Sequence, residues 1–156
     1  MMLVYGDLID LAKKGEFDVI VHGANCFNTM GGGIAKQIRD QFPEAYAADC
    51  ATRKGDRAKL GQYTFATVNN LTIINAYTQY DFNRYGKSAD LFDYEAFAYI
   101  LNDLVPAYPG KRFGFPLIGT GLAGGDPIII IEMLEMFSTQ VEANGGTVTI
   151  VDFNSK

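Results

Sequence analysis

Val19-Ile20-Val21-His22-Gly23-Ala24-Asn25-Cys26, followed closely by Gly31-Gly32-Gly33-Ile34, is the stretch that decides the fold. Its first three residues are β-branched and apolar, the pattern of a strand buried on both faces. The run then turns small and polar, and the three glycines open onto Ile34 to Gln41, which reads as a helix ending before Pro43. A strand whose end dissolves into glycines and restarts as a helix is the usual surrounding of a ligand cleft in an α/β sheet, because ligands bind beyond the C-terminal ends of the strands.

The rest of the chain alternates in the same way. Leu3-Val4-Tyr5 reads as a strand closed by Gly6-Asp7, and Leu8 to Lys14 as a short helix ended by Gly15. Glu44 to about Arg53 reads as another helix. Tyr63 to Val68 and Leu71 to Tyr77 are strands joined by Asn69-Asn70, a pair that tolerates the positive φ of a tight hairpin. The polar segment from Gln79 to Leu91, with Tyr80, Phe82, Tyr85 and Gly86, reads as a surface loop. Asp93 stands where it can cap a helix whose stripe is Phe97, Ile100, Leu101 and Leu104, running to Pro106. Arg112 to Leu117 is the next strand. Asp126 with Pro127 opens a last helix, with Ile130, Leu134, Phe137 and Val141 on its buried side and Gly145-Gly146 at its end; Val148 to Phe153 is the final strand. The pattern predicts one α/β domain over residues 1–156, a mixed sheet covered by helices.

Composition narrows the function. The chain has 156 residues, 48% hydrophobic and 20% charged, enough for one sizeable core that needs no metal or disulfide. No uninterrupted apolar run approaches the roughly 20 residues that span a bilayer. Asp7 and Asp10 interrupt the apolar N-terminus, so no signal peptide is expected and the cytoplasm is the expected location. A net charge of −5 argues against binding long nucleic acids, which call for a basic face. Cys26, Cys50 and the single histidine lack metal-ligand spacing, so neither a metal nor a cofactor is expected.

Three strand ends are candidates for chemistry: Gly6-Asp7, the His22 to Cys26 run with its triple glycine, and Ile118-Gly119-Thr120-Gly121-Leu122-Ala123-Gly124-Gly125-Asp126. Two glycine-rich loops, each after a strand and each opening a helix, suit a pyrophosphate, because backbone N–H groups can hold phosphate without a lysine. Neither loop is followed by Gly-Lys-Ser/Thr, so a Walker A site is excluded. Gly119-x-Gly121-x-x-Gly124 has dinucleotide spacing but no acidic residue downstream at Rossmann distance.

Together, Gly6-Asp7-Leu8, Val21 to Asn25, Gly31 to Ala35 and Pro116 to Leu122 resemble the macro domain family in order and spacing across essentially the whole chain. The likeness is strongest to the branch with ADP-ribose 1''-phosphate phosphatases and ADP-ribosyl-glutamate hydrolases. It implies a three-layer α/β/α fold with a central mixed sheet, and ADP-ribose, its 1''-phosphate or ADP-ribosylated macromolecules as partners. It further implies that Asp7 with Leu8 receives adenine and that Asn25 holds the distal ribose. Gly31, Gly32, Gly33 and Ile34 would line that ribose and its phosphate, and Ile118, Gly119, Thr120, Gly121 and Leu122 would wrap the diphosphate. Phe153, beside Asn154, would pack on adenine. The chain also departs from the family: Ala35, Thr78-Gln79 and Ala123 stand where the hydrolase branches carry aspartate, lysine and aspartate respectively.

Those departures leave few candidates for catalysis. His22 is one, as a proton carrier for phosphomonoester cleavage, against its plain reading as a satisfied core histidine. Asp126 is the other, orienting water or simply capping the last helix. Asp7 likewise reads as ligand contact or helix cap, and Phe153 as adenine contact or core. Lys36 reads as solvated, Cys26 and Asn28 as wall residues, and Tyr80, Phe82 and Tyr85 as a lid or as loop anchors. The expected function is hydrolysis of ADP-ribose 1''-phosphate, with an ADP-ribosyl hydrolase or a non-catalytic ADP-ribose reader as the alternatives.

Overall fold

A computed structural model describes residues 1–83, 91–121 and 123–153. Six strands form a single mixed sheet: β1 (Met2–Tyr5), β2 (Val19–Ala24), β3 (Tyr63–Val68), β4 (Leu71–Tyr77), β5 (Arg112–Phe115) and β6 (Thr147–Asp152). Their spatial order is β1-β6-β5-β2-β4-β3, and every neighbouring pair is parallel except β3 with β4. That one antiparallel pair is the Asn69-Asn70 hairpin, where both asparagines take positive φ (51° and 70°), as a two-residue turn matching strand twist requires.

Helices α1 (Leu8–Lys13), α2 (Gly33–Gln41), α3 (Pro43–Cys50), α4 (Tyr94–Ala107) and α5 (Pro127–Ala143) cover the sheet. Alternation along β2 divides the core in two. Val19 and Val21 face a cluster built from α4 and α5, including Phe97, Leu104, Leu134 and Phe137. Ile20 points the other way, into a cluster with Ile9, Ile38 and Ala45 from α1, α2 and α3. The result is the three-layer α/β/α sandwich implied by the motifs. On the α1 side Gly114 is needed for packing: a Cβ there would stand 2.8 Å from the Phe17 ring and 3.0 Å from Leu8.

Several element boundaries differ from the sequence reading. β2 extends through His22 and Gly23 to Ala24, because its neighbour β4 pairs with it residue by residue as far as Tyr77. β5 stops at Phe115, ahead of Pro116, which has no N–H to give a ladder. Helix α3 starts at Pro43 in its first turn and ends at Cys50, and α4 runs one residue past Pro106. The caps fall where expected: Asp7, Asp93 and Asp126 each accept from backbone N–H groups at the start of α1, α4 and α5. No helix among the described residues is long and apolar enough to cross a membrane.

Helix α5 offers a test of the core. Leu134 is fully buried and Met136, two residues on, is 70% exposed. Leu134→Ala is expected to lower the unfolding free energy by about 2–5 kcal/mol, while Met136→Ala stays within about 0.5 kcal/mol of the parent, both measured by urea denaturation.

Candidate functional site

Parallel pairing brings the C-terminal ends of β1, β2, β5 and β6 to one edge of the sheet, and a cleft of about 770 Å³ opens there. Its volume is that of a small-molecule site. Three backbone segments make its walls. Gly6, Asp7 and Leu8 lead from β1 into α1. Asn25 and residues 29–35 lead from β2 into α2. Pro116 to Gly121 follow β5, and Val151, Asp152 and Phe153 close the far end.

The β2–α2 loop carries unusual backbone. Asn28 and Met30 have positive φ (57° and 41°), followed by Gly33 at 55°. Asn25 fixes the loop's start: its Oδ1 accepts from the Phe27 N–H at 2.8 Å and its Nδ2 donates to Thr29 Oγ1 at 2.7 Å. Helix α2 begins at Gly33 with Gly32 as its cap residue and no side chain occupying the cap. Its first N–H groups are therefore available to an anion at the cleft wall. In the β5–α5 loop Gly119 has φ 75°, and a Cβ there would collide with the Phe92 ring, so only glycine fits. Gly125 N–H donates to Gly119 O at 2.7 Å and closes the loop on itself.

The electrostatics of the wall are sparse. Asp7 and Asp152, at the β1 and β6 end, are its ionisable side chains among the described residues; no lysine, arginine, histidine or cysteine lines it. The β2–α2 side presents only amides, hydroxyls and apolar groups, with Gln37, Gln79 and Asn83 joining Asn25 and Thr29. A diphosphate held here would have to be neutralised by backbone N–H groups and helix dipoles. Among the described residues, no cluster of His, Cys, Asp or Glu is placed to hold a metal.

The profile of the Macro domain matches residues 21–133. The chain belongs to the macro domain family. It is 31% identical, over 96% of its length and 94% of the other's, to an uncharacterized 17.5 kDa protein in the tk-vs intergenic region of Enterobacteria phage T4. Among solved structures it resembles a protein from Bacteroides thetaiotaomicron, with a TM-score of 0.79 and 21% identity over 97% of this chain and 99% of that one. It also resembles the Trypanosoma brucei macrodomain in complex with ADP-ribose, with a TM-score of 0.71 and 16% identity over 97% and 63%.

In this macro domain most of the residues singled out from sequence do meet at the cleft. Asp7, Leu8, Asn25, Gly31, Gly32, Gly33, Ile34, Ile118, Gly119, Thr120, Gly121 and Phe153 all line it. Phe153 is 73% exposed, which rejects its core reading. Asp7 is cap and wall residue at once: Oδ1 accepts from the N–H groups of Ile9 and Asp10 while the side chain borders the cleft. Leu122, Asn154 and Tyr85 lie outside the described residues.

Both catalytic candidates fall elsewhere. His22 is fully buried, on the face of β2 that meets α3, and does not reach the cleft wall. Its partner is Asn75, directly opposite on β4, at 2.7 Å from Nε2 to Oδ1. Because Asn75 Nδ2 donates to Ala45 O and Thr64 Oγ1, its Oδ1 is turned to the histidine, so Nε2 carries the proton. Burial drives the imidazole down to about 4, against a smaller upward pull from the Asn75 bond, and keeps it neutral. Asp126 is exposed and caps α5, accepting from the Ile128 N–H at 2.9 Å, while its own N–H donates to the Tyr94 hydroxyl. The histidine is a core residue after all, and the aspartate a helix cap.

Other side chains also settle. Cys26 and Asn28 sit behind the wall instead of in it, Cys26 fully buried with its thiol pushed up to about 11 by burial. Lys36 is exposed and paired with Asp40 at 2.8 Å. Tyr80 is an anchor: its hydroxyl donates to Gly55 O, its ring meets Phe27 edge-on, and Arg57 covers it at 3.8 Å. Phe82 does face the cleft. Sequence reading missed Gln37, Gln79, Asn83 and Asp152 in the wall, since none belongs to a glycine-rich motif.

The His22 environment predicts a pH dependence. The folded pKa lies below the unfolded value of 6.5, so its contribution is complete above about pH 6.5 and is lost as pH falls through the folded value of about 4. The full loss is about 3 kcal/mol. Asp49, raised by burial, acts in the opposite sense as pH rises from its unfolded value. The comparison of chemical unfolding for wild type and His22→Asn between pH 4 and 7 isolates the histidine: the wild type is expected to lose more stability on acidification.

Proposed function

We propose that this macro domain binds ADP-ribose in the cleft. The observation that carries the reading is the wall itself, with two glycine-rich loops and an uncapped α2 N-terminus around a cleft of suitable size, and a carboxylate and an aromatic at the opposite end. Asp7 would accept from the adenine amino group and Phe153 would pack on the ring. The loop of Ile118 to Leu122 would wrap the diphosphate. Asn25 with Gly31 to Ile34 would hold the distal ribose. The complex of the Trypanosoma brucei macrodomain with ADP-ribose supports the same choice of ligand.

One observation supports ADP-ribose 1''-phosphate as a ligand of this cleft, the premise of its turnover as a second reading. The β2–α2 side of the wall pairs free helix N-terminal N–H groups with an absence of carboxylates among its described residues, which suits a phosphomonoester dianion on the distal ribose. Hydrolysis would then proceed without His22 or Asp126 as proton carriers. Removal of ADP-ribose from a modified protein or nucleic acid has less support, because Ala35, Gln79 and Ala123 face the cleft and none can act as a base or nucleophile.

A phosphorus NMR time course with ADP-ribose 1''-phosphate decides between binding and turnover. Shifted diphosphate resonances without inorganic phosphate are expected for a binder, and phosphate released in excess over protein for a phosphatase. Unperturbed spectra would sink both. Gly121→Val tests the assigned wall: a Cβ built on Gly121 meets no heavy atom within 4 Å, so the fold is expected to tolerate the side chain. By calorimetric titration its ADP-ribose affinity is expected to fall about tenfold or more, with an unchanged melting temperature. His22→Asn, by contrast, is expected to retain ligand affinity per folded molecule.

A further inference from the structure

Behind the β2–α2 loop lies a buried cation that the cleft does not use. Lys59, in the short 3₁₀ turn Arg57–Lys59, is only 7% exposed. Its Nζ donates to Asn28 Oδ1 at 2.8 Å and to Thr52 Oγ1 at 2.9 Å, and stands 5.2 Å from the centre of the Tyr77 ring. Burying an ammonium is costly unless it is hydrogen-bonded, and here its hydrogen bonds converge on one loop residue and the neighbour that holds it. Asn28 is in the left-handed region (φ 57°), which asparagine adopts more readily than most side chains and which its hydrogen bonds hold in one geometry here. The same side chain donates through Nδ2 to Thr52 O at 3.0 Å, and the Tyr46 hydroxyl donates to Asn28 O. Gly55 N–H donates to Cys26 O at 2.7 Å, and Arg39 reaches Thr29 O. Thr52, Gly55 and Lys59 thus brace the loop from behind, and Lys59 is the charged one of the three.

We infer that Lys59 is a positioning residue: by holding Asn28 it sets the path of residues 28–33 and so the direction of the N–H groups at Gly31, Gly32 and Gly33. The inference rests on the reading that ADP-ribose occupies the cleft with its distal ribose against this loop. Lys59 itself touches no ligand, being absent from the cleft wall. Its removal therefore affects the distal half of the ligand and spares the adenosine and diphosphate half, which other segments hold. A role in stability alone would weaken both halves equally.

The test compares two ligands and one ligand-free measurement. In Lys59→Met, the affinity for ADP-ribose is expected to drop about tenfold, the scale of a lost hydrogen bond to a charged group, while that for ADP, which lacks the distal ribose, stays within about twofold. Amide hydrogen exchange of the unliganded protein is expected to quicken at residues 28–33 and remain unchanged at residues 117–121. Equal losses for the two ligands, or no loss, would overturn the assignment, as would unaltered exchange in the loop. Should wild type bind no ADP-ribose, the functional reading fails and the exchange data alone decide whether Lys59 positions the loop. If Lys59→Met does not fold, Asn28→Gly serves instead: glycine accepts the positive φ and only the tether is lost. The same split between ADP-ribose and ADP is then expected, and an undisturbed ratio would refute the role.

Discussion

Parallel hydrogen bonding of β2 on both sides, to β4 and to β5, is the constraint from which the rest follows. A strand held this way has no free edge and no wet face, so its apolar residues are fully enclosed between two helical layers. It also forces the chain to leave the sheet at the same end after β2, β5 and β6. The loops that carry the chain away are crowded together there, and the space they cannot fill is the cleft. Glycines recur in those loops because the backbone must take left-handed turns, as at Gly33 and Gly119, or pass close to a neighbouring ring.

The polar residues beneath the cleft obey a different logic from those in its wall. His22 and Asn75 are both fully buried, and the Nε2–H of the histidine donates to the Asn75 Oδ1 inside the sheet. Asn75 also ties α3 to the sheet through Ala45 O. From Asn75 the network continues through Thr64 to Tyr77, whose hydroxyl donates to Asp49 at 2.7 Å and whose ring faces the Lys59 ammonium that holds Asn28 and Thr52. Such groups are worth their desolvation cost when they fix a single geometry. Here they fix the loops from below and behind, and leave the wall free of ionisable side chains on its β2–α2 side. Binding in such a wall depends on where backbone N–H groups point, which makes the supporting network as consequential as the residues in contact.

Much of this was legible beforehand, for local reasons. The Asn69-Asn70 turn, the aspartate caps at Asp93 and Asp126, and the stripe of Ile130, Leu134, Phe137 and Val141 each follow from interactions within a few residues along the chain. The glycine-rich segments also announced the cleft, since their spacing after strands and before helices is a property of the sequence. What stayed hidden was anything that depended on a neighbour distant in sequence. His22 sits beside Gly23 and Asn25 in the chain, yet the alternation of β2 turns it away from the opening and towards Asn75, 53 residues on.

The amino-acid sequence by itself therefore determined the elements, their caps and turns, the α/β class with its mixed sheet and which backbone segments surround the cleft. These are set by periodicity, by steric limits on φ and by short-range hydrogen bonds. Only the tertiary structure decided which polar side chains face the cleft and which are spent inside the protein. That choice depends on strand register and on the pairing of residues far apart in the chain, as between His22 and Asn75 or Lys59 and Asn28, and neither is written in the local pattern of either partner.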